Sequence, residues 1–479
     1  MEISATNEGG RILIREIPPK GVRNGWVAFA VLAMLVALLG GSSRPDAVQI
    51  AALRPLSALM LIPALYVISR ERIADVKTPL ILLVLLLILM AVQLIPLPPA
   101  LWQSLPGREP ITGMAEAIGS APVWRPISMV PTRTINALAS LVVPVSALLL
   151  AATMGLRRTT LLLAVAGLGI ADALLALLQA LSSWNESLYF YAVTNKGSEV
   201  GLFANQNHSA VFGALALLVI GHLLSDVRSR NWVRWQRVAL FGGFMLVLLS
   251  SLIGGSRAGI LATGMAVVVS AAMFWISLDW RKQGDGDLPE IFGITLRPSV
   301  VFGFGALLVI AIVASFAFFD RIPAIRTLTD AGNFDDLRWR LLPSLQQMIA
   351  THWAFGAGFG SFEEVYHIYE PSELLAPIYV NQAHNDWAQL IIEGGLLAVA
   401  LVGLAAFWFI RCLLRIGGTT RQRLAALMFW GAVPAMVLFA SLVDYPLRTP
   451  LFQFAVTVLV VAFCREVLVE RPEYDGDAE

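Results

Sequence analysis

Val380 to Gly395 reads VNQAHNDWAQLIIEGG, and an apolar run carries on to Ile410. His384, Asn385, Asp386, Gln389 and Glu393 thus stand at the mouth of an apolar helix, where a plain anchor needs none of them. Histidine titrates near neutral pH and is the commonest general base. On a helical wheel Asn385, Asp386, Gln389 and Glu393 form one polar stripe. Glu393 falls inside the apolar run. A carboxylate there is costly unless paired, so it should meet a donor from a neighbouring helix, and Gly394-Gly395 would permit the close approach. Arginine is the second candidate. Arg257 in GGSRAG and Arg338 in NFDDLRWRLL are fixed cations able to grip a phosphate with two N–H groups.

Composition sets the elements that must hold these residues. The chain has 479 residues, 57% of them hydrophobic and 14% charged, with a net charge of +1. That much apolar surface indicates a polytopic membrane protein, and the charge gives no reason to expect nucleic acid. Cys412 and Cys464 form neither a disulfide framework nor a metal-ligand spacing. Spans need about 20 mostly apolar residues. Twelve segments qualify, near 26–41, 49–69, 79–98, 134–153, 159–182, 207–224, 238–255, 258–279, 298–319, 386–410, 424–442 and 449–468. The first is short and ends in LLGGSS, but cleavage there would break the charge pattern, so it reads as an uncleaved helix.

With the N-terminus inside, the inner segments hold 22 of the 34 Lys and Arg residues, as the positive-inside rule requires. The organisation is then a cytoplasmic segment 1–25, helices 1–9 over 26–319, a large periplasmic loop 320–385, helices 10–12 over 386–468 and a cytoplasmic tail 469–479. His208, His352, His367 and His384 all fall on the outer side, as do GLFANQNHSA, GGSRAG and DYPLRTP. No ATP is available there, so an enzyme must use an already activated substrate. In the long loop, Leu341, Leu342, Leu345, Met348 and Ile349 make an apolar helical stripe. Arg338 projects from that stripe toward the membrane domain, and Arg340 from the opposite side toward water. GAGFGSF (356–362) follows, its glycines suited to a tight turn and close backbone approach.

Arg338, GAGFGSF and HNDWAQLIIEGG, in that order, resemble the shared core of the O-antigen ligase and polysaccharide polymerase superfamily. GLFANQNHSA and GGSRAG resemble two further stretches of the same family. The resemblance runs from about Gly201 to Arg448, with Trp353 where members often carry Pro. It implies an all-α membrane glycosyltransferase of the GT-C type, with about twelve transmembrane helices and no metal or other cofactor. Such enzymes take a glycan from undecaprenyl diphosphate and join it to an acceptor outside the bacterial inner membrane. The acceptor is lipid A-core in ligases and another lipid-linked glycan in polymerases. Breaking the glycosyl–diphosphate bond puts negative charge on the leaving group, which Arg257 and Arg338 would stabilise. His384 would deprotonate the acceptor. Asn207, Asn385, Gln389, Glu393, Arg340 and Arg448 are the further substrate-binding candidates, although Arg448 could instead pair with Asp444 as a loop salt bridge. His208, His352 and His367 read as surface or packing residues, and Asp172 as an interhelical hydrogen bond more than an ion site. DGD (285–287) reads as a linker, and Asp46 alone is too little for a metal. A twelve-helix transporter is the rival class, but it would show internal repeats and midplane polar residues.

Overall fold

A computed structural model describes residues 3–8, 11–16, 25–182, 185–226, 232–254, 256–277, 290–291, 294–295, 337–375 and 380–469. Among these, nine helices are long and apolar enough to cross a membrane. They are α2 (Val48–Tyr66), α4 (Pro131–Thr153), α5 (Arg158–Leu181), α6 (Gln206–Ser225), α7 (within Arg234–Ile253), α8 (Arg257–Ser277), α11 (Asp386–Leu413), α12 (Thr420–Val443) and α13 (within Pro450–Val469). Two shorter apolar helices, α1 (Gly25–Leu39) and α3 (Lys77–Val92), accompany them. The expected span at 298–319 lies outside the described residues, as does the DGD segment. The chain is therefore a polytopic helical membrane protein. The expected long loop supplies two further helices, α9 (Leu337–His352) and α10 (Phe362–Tyr369).

The bundle is built around α6. This helix is apolar on every side and buried along almost its whole length, as an all-round hydrophobic helix must be. Small residues set its contacts. A Cβ on Gly259 would meet Ala210, and one on Gly221 would meet Ser270, so α8 runs parallel to α6 at close range. The first turns of α6 and α8 consequently share one end of the bundle. Contacts from Asp444, Thr449 and Arg448 bring the end of α12 and the starts of α11 and α13 to the same end.

The opposite end is fastened by ions. Arg158, at the start of α5, pairs with Asp226 after α6 and Glu466 in α13. Its Nη1 also donates to His222 Nε2 at 3.1 Å, and the His222 ring stacks on Phe429 at 3.9 Å.

The long loop locks onto a break in α11. Gly395 adopts φ 62° and ψ −160°, which no other residue type takes readily. The break turns peptide groups outward. Ala357 N donates to Ile392 O at 2.8 Å, Gly358 N to Glu393 O at 3.0 Å, and Leu396 N to Ala354 O at 3.2 Å. The glycine turn thus pairs with a helix backbone as a strand would. Gln93 in the connection after α3 closes the joint: its amide donates to Glu393 O at 2.9 Å and accepts from Phe359 N at 3.0 Å. Pro343 does not interrupt α9. Leu341, Leu345 and Met348 are buried against Phe362, Tyr366 and Ile392. Leu342 does not belong to that stripe, being 41% exposed on the neighbouring flank of the helix.

Gly395→Ala should cost about 1–3 kcal/mol from its backbone conformation alone. The loss should be larger in practice, because the new Cβ would sit 2.7 Å from Gly356 N. Gly403→Ala, on the same helix with open space around it, should match the parent or exceed it. Thermal unfolding in detergent measures both; equal midpoints for the two variants would refute the role given to the break.

Candidate functional site

Asn207, Arg257, His384, Asn385, Gln389 and Arg448 fall at the end of the bundle where α6, α8, α11 and α13 begin. α11 opens with Asn385 as its cap, the side chain accepting from Ala388 N at 3.0 Å. Asn385 therefore stands before the polar stripe and not on it. Asp386, Gln389 and Glu393 do share one buried face. Glu393, fully buried, accepts from Gln389 Nε2 at 2.8 Å, from Phe362 N at 3.3 Å and from Arg448 Nη2 at 3.1 Å. Its cationic partner is thus a side chain from the turn between α12 and α13, with a loop amide beside it. Gln389 also accepts from Ala383 N at 3.0 Å and donates to Gln382 at 2.6 Å, which fixes the turn carrying His384.

Arg448 departs from the sequence expectation. It does not pair with Asp444. Its Nε donates to Asp386 Oδ1 at 3.1 Å while Nη2 holds Glu393. Burial would depress its pKa, but the two carboxylates outweigh that and raise it. The local reason is the 3-10 turn Pro446–Arg448, which reverses the chain so that position 448 faces α11 and not Asp444 four residues earlier.

Asp444 serves the histidines instead. It follows α12 at its end and is 4% exposed. His384 Nδ1 lies 3.5 Å from Asp444 Oδ1 and His208 Nε2 lies 3.7 Å from the same oxygen. Asn207 Nδ2 donates to Oδ2 at 2.8 Å. Among the described residues neither imidazole nitrogen has a closer acceptor. Burial would raise the Asp444 carboxyl, yet the two imidazoles outweigh it and hold it well below the ordinary carboxylate range. His384 itself has φ 50°, the one positive value among the described residues other than glycine. Such backbone recurs where a side chain must be aimed at a site.

His208 is not a surface residue: it is 1% exposed, packs edge-on against Phe203 and Tyr445, and also lies 3.7 Å from Asp444. Neither His208 nor Asp444 entered the sequence reading as part of a site. The signal for Asp444 was an acid placed directly after an apolar helix, in DYPLRTP, facing a histidine-bearing helix mouth. His352 is a packing residue of the loop. Burial and the neighbouring Arg108 push its pKa down to about 4.

Arg257 is the first residue of α8, half-buried beside the first turn of α6. The helix terminus adds positive potential to its charge. Arg340 is exposed and donates to Glu373 O at 3.1 Å, as its side of the helix predicts. Position 338 lies in α9, three and seven residues before the buried Leu341 and Leu345; its side chain lies outside the described residues. Asp172 accepts from Ser209 Oγ at 2.8 Å and Leu202 N at 2.7 Å, tying α5 to the start of α6. Asp46 pairs with Arg44 at 2.8 Å. Among the described residues no group of three or more His, Cys, Asp and Glu could hold a metal ion.

Because Glu393 has no exposed surface, Arg448→Met should strand a buried carboxylate and destabilise the protein by about 3–5 kcal/mol. Adding Glu393→Gln should recover part of that loss. A double-mutant cycle on thermal unfolding reads the coupling, and simple additivity would rule the pairing out.

Residues 242–404 match the Wzy_C family model, described as O-Antigen ligase. The match takes in Arg257, position 338, the glycine turn and the start of α11, but not Asn207, His208, Asp444 or Arg448. No curated protein matches the chain. Over this third of its length the chain is similar to the O-antigen ligase family.

Proposed function

We propose that the chain transfers a polysaccharide from undecaprenyl diphosphate to an acceptor hydroxyl, as an O-antigen ligase with lipid A-core as acceptor. The reaction is placed at the periplasmic face of the bacterial inner membrane, with both termini cytoplasmic, in a GT-C-type bundle that needs no metal. One observation carries the chemistry: the pairing of His384 with buried Asp444. A carboxylate at Nδ1 keeps the proton there and leaves Nε2 as the basic nitrogen. It also stabilises the imidazolium that forms when that nitrogen takes a proton.

The step balances simply. The acceptor hydroxyl gives its proton to His384 Nε2 as its oxygen bonds to the anomeric carbon. The bond from that carbon to the diphosphate oxygen breaks, and its electron pair leaves with the diphosphate. Arg257 and Arg338 meet the charge that develops there. Fixed cations in a site of low dielectric gain most where charge appears during reaction. Asn207 and Asn385 line the same end, while Gln389, Glu393 and Arg448 hold the helix mouth in shape. The gathering of these groups at one end, and not at mid-bundle, favours transfer over transport.

A strain lacking the chain should make lipid A-core without attached polymer, read on a polysaccharide gel. Polymer still attached but shortened would replace the ligase reading with a polymerase. In vitro, with EDTA present and a lipid-diphosphate donor, His384→Ala should lose about a hundredfold to ten-thousandfold in rate. Arg257→Lys and Arg338→Lys should each lose about a hundredfold to a thousandfold, because the planar fork is gone although the charge remains. Arg340→Ala should stay near the parent. Near-normal turnover by His384→Ala, or a larger loss from Arg340→Ala than from Arg338→Lys, would sink this division of labour.

A further inference from the structure

We infer that His208 is a positioning residue for this site: it shares the Asp444 carboxylate with His384 and so sets how strongly the His384 ring holds a proton. The inference rests on the reading of His384 as general base. His208 comes from the first turn of α6, the most enclosed helix, and its ring has no room to turn. Thr449 Oγ1 holds its Nδ1 at 3.0 Å, and Thr449 is itself fully buried. With Nδ1 engaged by the hydroxyl, Nε2 carries its proton toward Asp444 Oδ1, 3.7 Å away. His384 reaches the same oxygen from the other helix mouth at 3.5 Å. The Tyr445 ring stands 5.0 Å from each imidazole with an edge-on tilt, spacing the pair.

One carboxylate oxygen cannot give its full charge to two imidazoles. Whatever His208 draws from Oδ1 is lost to the imidazolium of His384, which is the form that must be stabilised during transfer. The charged groups of the neighbouring helix mouth have partners of their own. Arg448 is committed to Asp386 and Glu393, Asp386 also accepts from Ser441, and Arg257 enters from the first turn of α8. Asn207 on Oδ2 is neutral at all working pH. His208 and His384 meet the same Oδ1, so removing His208 leaves more of that oxygen's charge to His384.

The pH profile of kcat/KM for transfer, which reports groups on the free enzyme, tests this with each variant at matched protein level. His208→Leu keeps apolar volume without a donor, and should move the acidic limb to higher pH by about one unit, since a fuller opposite charge favours the protonated ring. His208→Gln restores an N–H toward Asp444 and should bring the limb back toward the parent position. Thr449→Val is isosteric and frees His208 Nδ1, so it should shift the limb in the same direction by less, and it serves even if His208→Leu fails to accumulate. An unmoved limb in Thr449→Val and His208→Leu, or identical profiles for His208→Leu and His208→Gln, would overturn the inference. If His384→Gln retains normal turnover, the general-base reading itself fails. If His384→Gln is inactive while the limb stays put, only the role of His208 fails.

Discussion

A single residue, Glu393, joins the three parts of the molecule that make the site. Its carboxylate receives Arg448 from the turn between α12 and α13, Gln389 from its own helix and Phe362 N from the long loop. Its carbonyl receives Gln93 and Gly358 N. A buried charge in a membrane is tolerated only with such company. The break at Gly395 makes the arrangement possible, because it frees the carbonyls of Ile392 and Glu393 from the helix and presents them to the loop. Without the break the glycine turn would have no backbone to pair with. The turn carrying His384 would then lose the platform on which Gln389 fixes it.

The two ends of the bundle use charge differently. At the end away from the site, Arg158 is held between Asp226 and Glu466, joining the ends of three helices. At the site end Arg448 is likewise held between two carboxylates, while Asp444 lies beside two imidazoles and the Asn207 amide. In the proposed mechanism that carboxylate would stabilise a proton moving on His384.

The sequence made the spans legible because twenty-residue apolar runs have few alternative readings. It also marked the helix mouth at His384 and the solvent-facing side of Arg340, since each follows from local spacing. The partners were less legible. Arg448 was assigned to Asp444 on proximity in the chain, whereas a 3-10 turn redirected it to α11. Leu342 fitted a helical stripe on paper, but the stripe that packs is one residue narrower on that flank. His208 looked ordinary because its significance depends on an acid more than two hundred residues away. Long-range pairings of this kind have no periodicity to betray them.

The joint at Gly395 also bears on how the long loop behaves. Three of its peptide groups complete the hydrogen bonding of a membrane helix. Lifting the loop would leave amides and carbonyls unpaired in a setting with little water, and each such group costs several kcal/mol. The glycine turn is consequently a fixed part of the fold and not a door. Under the proposed function, a lipid-linked donor would have to reach His384 by a path that leaves this turn in place.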